Sequence, residues 1–306
     1  MSLRAATRGS PLARWQTDHV ARLIAGTGGP DVEAVVVSTV GDRRHDVPIH
    51  VMGGKGVFVK EVQVAVLEGH ADIAVHSAKD LPAIGPAGLV LGAVPERGDA
   101  RDALVGGRFA DLAPGARVGT GSVRRRSQLA WHRPDLTFCE LRGAIATRLD
   151  KAAGLDAIVM AAAALERLGH IPTDPGAGGS GRVIDVLPVS LMVPQVAQGA
   201  IAVECRADDH RTLEMLAAIE CRDTRRIIDS ERAFLQELGG DCDLPAGAHA
   251  VITDAGLELE GMLASLDGRV MLRERRDGVD GAELGRTVAR HLLDDAGGAE
   301  LLADRR

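Results

Sequence analysis

Apolar and polar positions alternate along this chain with two periods, and the switches between them predict its elements. Residues 3–9, LRAATRG, form a short strand pattern, after which Ser10 and Pro11 open a helix whose Leu12, Trp15, Val20, Leu23 and Ile24 share one face. The alternation then repeats: VEAVVVS (32–38) as a buried strand, VFVKEVQVAVLEG (57–69) as an amphipathic helix, ADIAVHS (71–77) and LVLGAV (89–94) as strands. A turn-rich stretch, PERGDARD (95–102), separates a second round. In it ARVGTG, LTFCEL and DAIVMAA are strands, and a helix follows each, the last being ALERLG. Strands and helices alternating at this length predict α/β units with parallel sheets. From about residue 216 the pattern changes to a long helix, DTRRIIDSERAFLQEL, two strands joined at Asp267 and Gly268, and a C-terminal helix. That is a smaller α+β domain with antiparallel strands.

The length of 306 residues suits two or three domains, and a hydrophobic fraction of 45% supplies their cores. The net charge of −7 argues against a general nucleic-acid binder, and aromatics at 2% with no Tyr leave no base-stacking platform. No apolar run approaches a membrane span, so a cytoplasmic protein is expected. Cys139, Cys205, Cys221 and Cys242 form no CxxC pair and have no neighbouring His at ligand spacing, so no metal site is expected.

The Gly-rich stretches fail the nucleotide fingerprints. GTGSVR (119–124) has Arg124 where a dinucleotide motif needs its third Gly. In VMGGKGV, Gly56 follows Lys55 where a P-loop needs Ser or Thr. Lys55 remains able to close over an anion, although a flexible turn is the plainer reading. Cations recur around the strand-to-helix junctions: Arg4 and Arg8, Lys79, Arg124 and Arg125, Arg142 and Arg148. In a parallel sheet such junctions gather at the carboxyl ends of the strands, where ligands bind, so the expected site is polyanionic. GTGSVRRRSQL raises a sharper point. Ser122 is placed to cap a helix, and cations in its first turn face the positive end of the macrodipole at up to about 1 kcal/mol each, so something anionic must compensate.

In ADIAVHSAKDLP, a buried run ends in a polar tip of His76, Ser77, Lys79 and Asp80. Asp80 either caps the turn before Pro82 or serves as a carboxylate in a cationic cleft, stabilising a cation or moving a proton; spacing leaves both open. His76 is taken as a packed strand histidine. Cys242, in LGGDCDLPAG, is a loop cysteine whose flanking Asp241 and Asp243 would raise its thiol pKa.

Together, ATRGSPLARWQ (6–16), GGKGVFVKE (53–61), ADIAVHSAKDLP (71–82), RDA (101–103), GTGSVRRRSQL (119–129), LRGAIATRL (141–149), DAIVMAAAALERLG (156–169), QGAIAVECR (198–206) and GGDCDLPAG (239–247) resemble the porphobilinogen deaminase (hydroxymethylbilane synthase) family, in the family's order and over most of the chain. The resemblance implies an α/β fold of two periplasmic-binding-protein-like lobes plus a smaller C-terminal α+β domain, with the active site in the cleft between lobes. Its boundaries would be 1–96 with 190–215 for the first lobe, 97–189 for the second and 216–306 for the cofactor-attachment domain, with hinges near 95–101 and 188–198. It implies a monomeric transferase of heme and tetrapyrrole biosynthesis. Four porphobilinogen molecules, each losing ammonia, would be condensed into a linear tetrapyrrole on a dipyrromethane cofactor attached to Cys242 by a thioether. It implies that Asp80 is catalytic, stabilising the azafulvenium cation, and that Ser77, Lys79, Thr120, Ser122, Arg124 and Arg125 bind the cofactor. Arg4, Arg8, Ser10, Gln16, Lys55, Arg142, Arg148 and Gln198 would bind substrate, the cations answering its acetate and propionate groups.

The chain departs from the family pattern at Ala144, where Asn is usual, at Asp241 beside the cofactor cysteine, at Gln195 and Ala197, and at Arg126, an extra cation without a family role. A two-lobed binding protein for a small polyanion is the competing class; it needs the arginines but neither Asp80 nor Cys242. A relative lacking the cofactor is a third reading.

Overall fold

The computed structural model describes residues 2–39, 58–171, 181–240 and 244–303. Lys55 and Cys242 lie outside them, as do Asp241 and most of the Gly-rich stretch 171–181. Contacts divide the chain into two compact units, 1–98 with 199–226, and 99–198 with 227–306. Residues 190–198 thus keep with the stretch before them, and the chain returns to the first unit at Gly199.

The first unit is built on β1 (Leu3–Arg8), α1 (Pro11–Gly26), β2 (Val32–Val37), α2 (Lys60–Leu67), β3 (Ile73–Ser77), β4 (Leu89–Ala93), and the returning β10 (Ile201–Arg206) with α6 (His210–Ala217). Its sheet has the order β2-β1-β3-β10-β4. The expected α/β class is found, but the sheet is mixed rather than parallel: β10 runs antiparallel to both β3 and β4. Successive residues of β1 serve opposite faces, as a strand's period of two requires. Ala5 packs with Val20, Ile24, Ile73 and Leu216, and Ala6 with Val62, Val66 and Leu89. Burial of each Val, Ile or Leu in these layers contributes about 1.5–3 kcal/mol. VEAVVV, expected as a buried strand, is an edge strand with Val36 47% exposed; among the described residues it pairs only with β1.

The second unit repeats this scheme with β5 (Asp102–Val105), β6 (Arg117–Gly119), α3 (Val123–His132), β7 (Thr137–Cys139), α4 (Ile145–Lys151), β8 (Ala157–Ala161), α5 (Ala162–Arg167) and β9 (Ile184–Val186), in the order β7-β6-β8-β5-β9. Here β5 is the antiparallel strand, paired with β8 and β9. In each unit, therefore, the strand that follows the chain's crossing from the other unit is inserted against the direction of its neighbours. Leu104, Val118, Leu129 and Val159 fill one face of this sheet; Val105, Ile158, Met160 and Leu165 fill the other.

The helix α7 (Arg222–Glu237) leads into the antiparallel sheet β11 (Ala246–Thr253), β12 (Gly256–Ala264) and β13 (Met271–Gly278), then α8 (Gly281–Arg290), a wide turn and α9 (Gly298–Ala303). β11 was not among the expected strands. The turn at Asp267 and Gly268 is where the sequence put it, with Gly268 at φ +73°. It lies against α3: a Cβ at Gly268 would sit 2.5 Å from the Ser127 carbonyl oxygen, and Arg126 donates from Nη2 to the Leu266 carbonyl at 3.1 Å. The extra cation thus ties the hairpin to the arginine helix.

Candidate active site

In the first unit β1 and β3 are adjacent and parallel, so their carboxyl ends share one edge of the sheet. Arg8 ends β1, and its guanidinium lies 4.3 Å from the centre of the Phe58 ring. Ser10 caps α1, its Oγ accepting the Ala13 N–H at 3.3 Å. Gln16, buried on α1, donates from Nε2 to Ser77 Oγ at 2.8 Å. Beyond Ser77 a single 3-10 turn, Ala78–Asp80, carries Lys79 and Asp80 past the strand end, anchored by buried Ala78 and Leu81. Both polar side chains are half-buried. Arg8, Ser10, Gln16, Ser77, Lys79 and Asp80 are thereby brought to one edge. Below them, buried His76 faces Glu204 at 3.1 Å, and Gln63 donates to both oxygens of that carboxylate.

Arg4 is not with them. Four residues before Arg8, about 13 Å along the strand, it sits at the amino end of β1 in a two-pronged pair with Asp72, Nη2 to Oδ1 at 2.8 Å and Nε to Oδ2 at 3.2 Å. Its place is at the opposite edge from the junctions, as a clasp between β1 and the start of β3.

In the second unit β6, β7 and β8 are parallel, and the residues after them form the corresponding edge. Thr120 Oγ1 accepts the Ser122 N–H at 3.2 Å, and Ser122 caps α3, accepting the Arg125 N–H at 3.4 Å. After β7, Arg142 donates from Nε to Glu140 at 2.7 Å, and Arg148 on α4 donates from Nε to the Gly143 carbonyl at 2.7 Å. Ala144, at the N-cap of α4, provides no side-chain acceptor.

Arg124 and Arg125 turn inward. Only 3% and 7% exposed, they converge on Asp102, itself fully buried. Arg124 Nη2 donates to Asp102 Oδ2 at 2.7 Å; Arg125 donates to Oδ1 from Nε at 2.9 Å and stands 2.7 Å from it at Nη2. Arg124 Nη1 donates to the Val193 carbonyl and Arg125 Nη1 to the Val159 carbonyl, and Arg125 Nη2 also reaches Gln198 Oε1 at 3.5 Å. The compensating anion that the sequence demanded is therefore first of all a residue of the chain. Burial drives the Asp102 carboxyl upward, but the two guanidiniums, with hydrogen bonds from Arg124 and Gln198, outweigh it and hold it at about 2. Two cations and one anion leave this buried cluster with a net charge of +1. The buried Nε of Arg124 has no acceptor among the described residues.

Gln198 also belongs to this cluster. Fully buried, its Nε2 donates to the Ala100 carbonyl at 2.8 Å and to Asp102 Oδ1 at 3.0 Å, so its amide serves the arginines' carboxylate rather than an open surface. Asp102 is the residue that sequence reasoning missed. Its signal was an acid directly before an apolar run, DALV, but a parallel-sheet reading gives no reason for that position to meet α3. Because β5 is antiparallel, Asp102 pairs with Ala161, at the carboxyl end of β8, and so reaches the same edge.

Both α/β units thus carry cationic and hydroxyl side chains at the carboxyl edge of the sheet. The chain belongs to the porphobilinogen deaminase family. The profile "Porphobilinogen deaminase, dipyromethane cofactor binding domain" matches residues 3–214, and "Porphobilinogen deaminase, C-terminal domain" matches 225–294. Porphobilinogen deaminase of Acidithiobacillus ferrooxidans is 43% identical, over 100% of this chain and 98% of that protein. That of Xanthomonas euvesicatoria pv. vesicatoria is 45% identical over 99% of each. Among solved structures, a methionine-bound nutrient-binding protein from Burkholderia cenocepacia aligns at TM-score 0.41 and 14% identity, over 72% of this chain and 93% of that one.

Proposed function

We propose that this chain is a transferase that condenses four porphobilinogen molecules, with release of ammonia, into the linear tetrapyrrole hydroxymethylbilane, on a dipyrromethane primer bound covalently to Cys242. The observation that carries this reading is the cationic edge of the second unit in a chain that matches the family along its length. The net +1 of the Asp102 cluster and the unpartnered buried N–H of Arg124 suit a group bearing several carboxylates. Arg124 and Arg125, with Thr120 and Ser122, would hold the primer, and Arg142 and Arg148 would receive carboxylates of the growing chain. In the first unit Arg8, Ser10, Gln16, Ser77 and Lys79 would do the same for the incoming monopyrrole. The bound primer supplies an electron-rich pyrrole carbon as nucleophile.

Asp80 is the acid placed for the chemistry. The aminomethyl group reacts as its ammonium: when the C–N bond breaks, ammonia leaves with the bonding pair and positive charge spreads over the pyrrole, and on release water captures the corresponding cation and supplies the hydroxyl of hydroxymethylbilane. A carboxylate at Asp80 stabilises that charge and accepts the proton released once the new C–C bond forms. Family membership further supports a cytoplasmic monomer. The test is ammonia release from porphobilinogen by the holoenzyme and its Asp80→Asn variant. The variant is expected to lose at least about 10²-fold in kcat at an unchanged unfolding temperature, and release within twofold of the parent defeats the assignment.

A further inference from the structure

We infer that Asp102 is a positioning residue for the reaction: it fixes both guanidiniums of the carboxylate-binding pair, so that ligand recognition at Arg124 and Arg125 is set by a carboxylate that touches no ligand. The inference rests on the role proposed above for the two arginines and adds the group through which they act.

Consecutive residues of one helix point about 100° apart, so the guanidiniums of Arg124 and Arg125 have no intrinsic reason to lie together, and like charges oppose it. Asp102 supplies that reason. Its Oδ2 accepts from Arg124 and its Oδ1 from Arg125, each by a charge-assisted bond. Gln198 Nε2 adds a third donor to Oδ1 and accepts from Arg125 Nη2 at Oε1, 3.5 Å away. The carbonyls of Val193 and Val159 hold the far sides of the forks. The arginines are therefore fastened from strands and loops, not by α3 alone. Were Asp102 only a neutralising core acid, one guanidinium would suffice; paired with two, it leaves the surplus positive charge that an incoming carboxylate meets.

The experiment uses the full-length holoenzyme and separates geometry from charge. Asp102→Glu keeps the charge and moves it by one methylene; Asp102→Asn keeps the shape and removes it. A positioning role predicts, for Asp102→Glu, turnover per primer-loaded molecule, counted by intact mass, lowered about tenfold or more with KM for porphobilinogen within threefold, because the incoming monopyrrole meets the first unit. A purely structural role would lower the folded, primer-loaded fraction and leave turnover per loaded molecule at the parental value. Asp102→Asn is expected to lower that turnover at least as far; if it does not fold, Asp102→Glu decides.

The partner in the test is Arg125→Gln, alone and combined with Asp102→Glu. If Asp102 acts through the two arginines, the double variant's loss of turnover per loaded molecule is smaller than the product of the two single losses, the remainder coming through Arg124. Fully multiplicative losses, or parental turnover in folded Asp102→Glu beside an impaired Arg125→Gln, overturn the inference and leave the proposed function standing. Parental turnover in Arg125→Gln overturns the carboxylate-binding reading itself.

Discussion

The buried carboxylate of Glu231 on α7 accepts the backbone N–H of Ala197 at 2.7 Å and that of Ala250 on β11 at 3.0 Å. One side chain thus joins the end of the 190–198 segment to the C-terminal sheet. Ala197 is held there at φ +60°, the one non-glycine with positive φ among the described residues. That conformation costs an L-residue about 1–2 kcal/mol, and glycine removes the cost while losing roughly 0.5–1 kcal/mol to unfolded-state entropy. Ala197→Gly is therefore expected to stabilise the protein by about 0.5–1 kcal/mol. A higher urea midpoint at unchanged slope is the expected reading, and a lower midpoint would show that the methyl's packing outweighs its backbone strain.

A second gain lies at the start of α4. Ala144 occupies the N-cap with extended backbone, φ −60° and ψ 161°, and offers no acceptor to the first turn. An Asn or Ser here accepts a helix N–H, a contribution of about 1 kcal/mol. Ala144→Asn should raise the thermal midpoint, whereas an unchanged midpoint would mean that solvent already serves those N–H groups equally well.

Acid stability follows from Asp102. Its carboxyl is held at about 2 in the folded chain against an ordinary 3.8. A depressed acid contributes stability in full above the unfolded value and loses it as pH falls between about 4 and 2. The span corresponds to about 2 kcal/mol. Urea unfolding of the parent should lose that amount over this window in addition to the losses from other carboxylates, and Asp102→Asn should lack it. Equal acid slopes in the two proteins would contradict the ion-pair account.

The elements most legible in the sequence were those whose signals are local. Ser10 with Pro11, Ser122 before its helix, and Asp267 with Gly268 each announce a cap or turn through their own side chain or backbone freedom, and each is found in that role. The strand-end cluster around Ser77, Lys79 and Asp80 was equally legible, because an apolar run that stops at polar residues marks a strand's end. What escaped depended on partners distant in sequence. Asp102 lies 22 residues before Arg124 and meets it only because β5 is inserted antiparallel. Arg4 looked like a junction cation, yet its register in β1 puts it beside Asp72, 68 residues away. The edge position of β2 depends on sheet order, which its Val-rich sequence does not encode.

Synthesis of tetrapyrroles on a covalent primer leaves its mark in the intact mass of the purified protein beside its Cys242→Ala variant. The parent is expected to exceed the sequence mass by two porphobilinogen molecules less two molecules of ammonia, and the variant to show no such excess. A parent at its bare sequence mass, unchanged after incubation with porphobilinogen, would contradict synthesis on a primer and leave the arginine clusters as a polyanion site without chemistry.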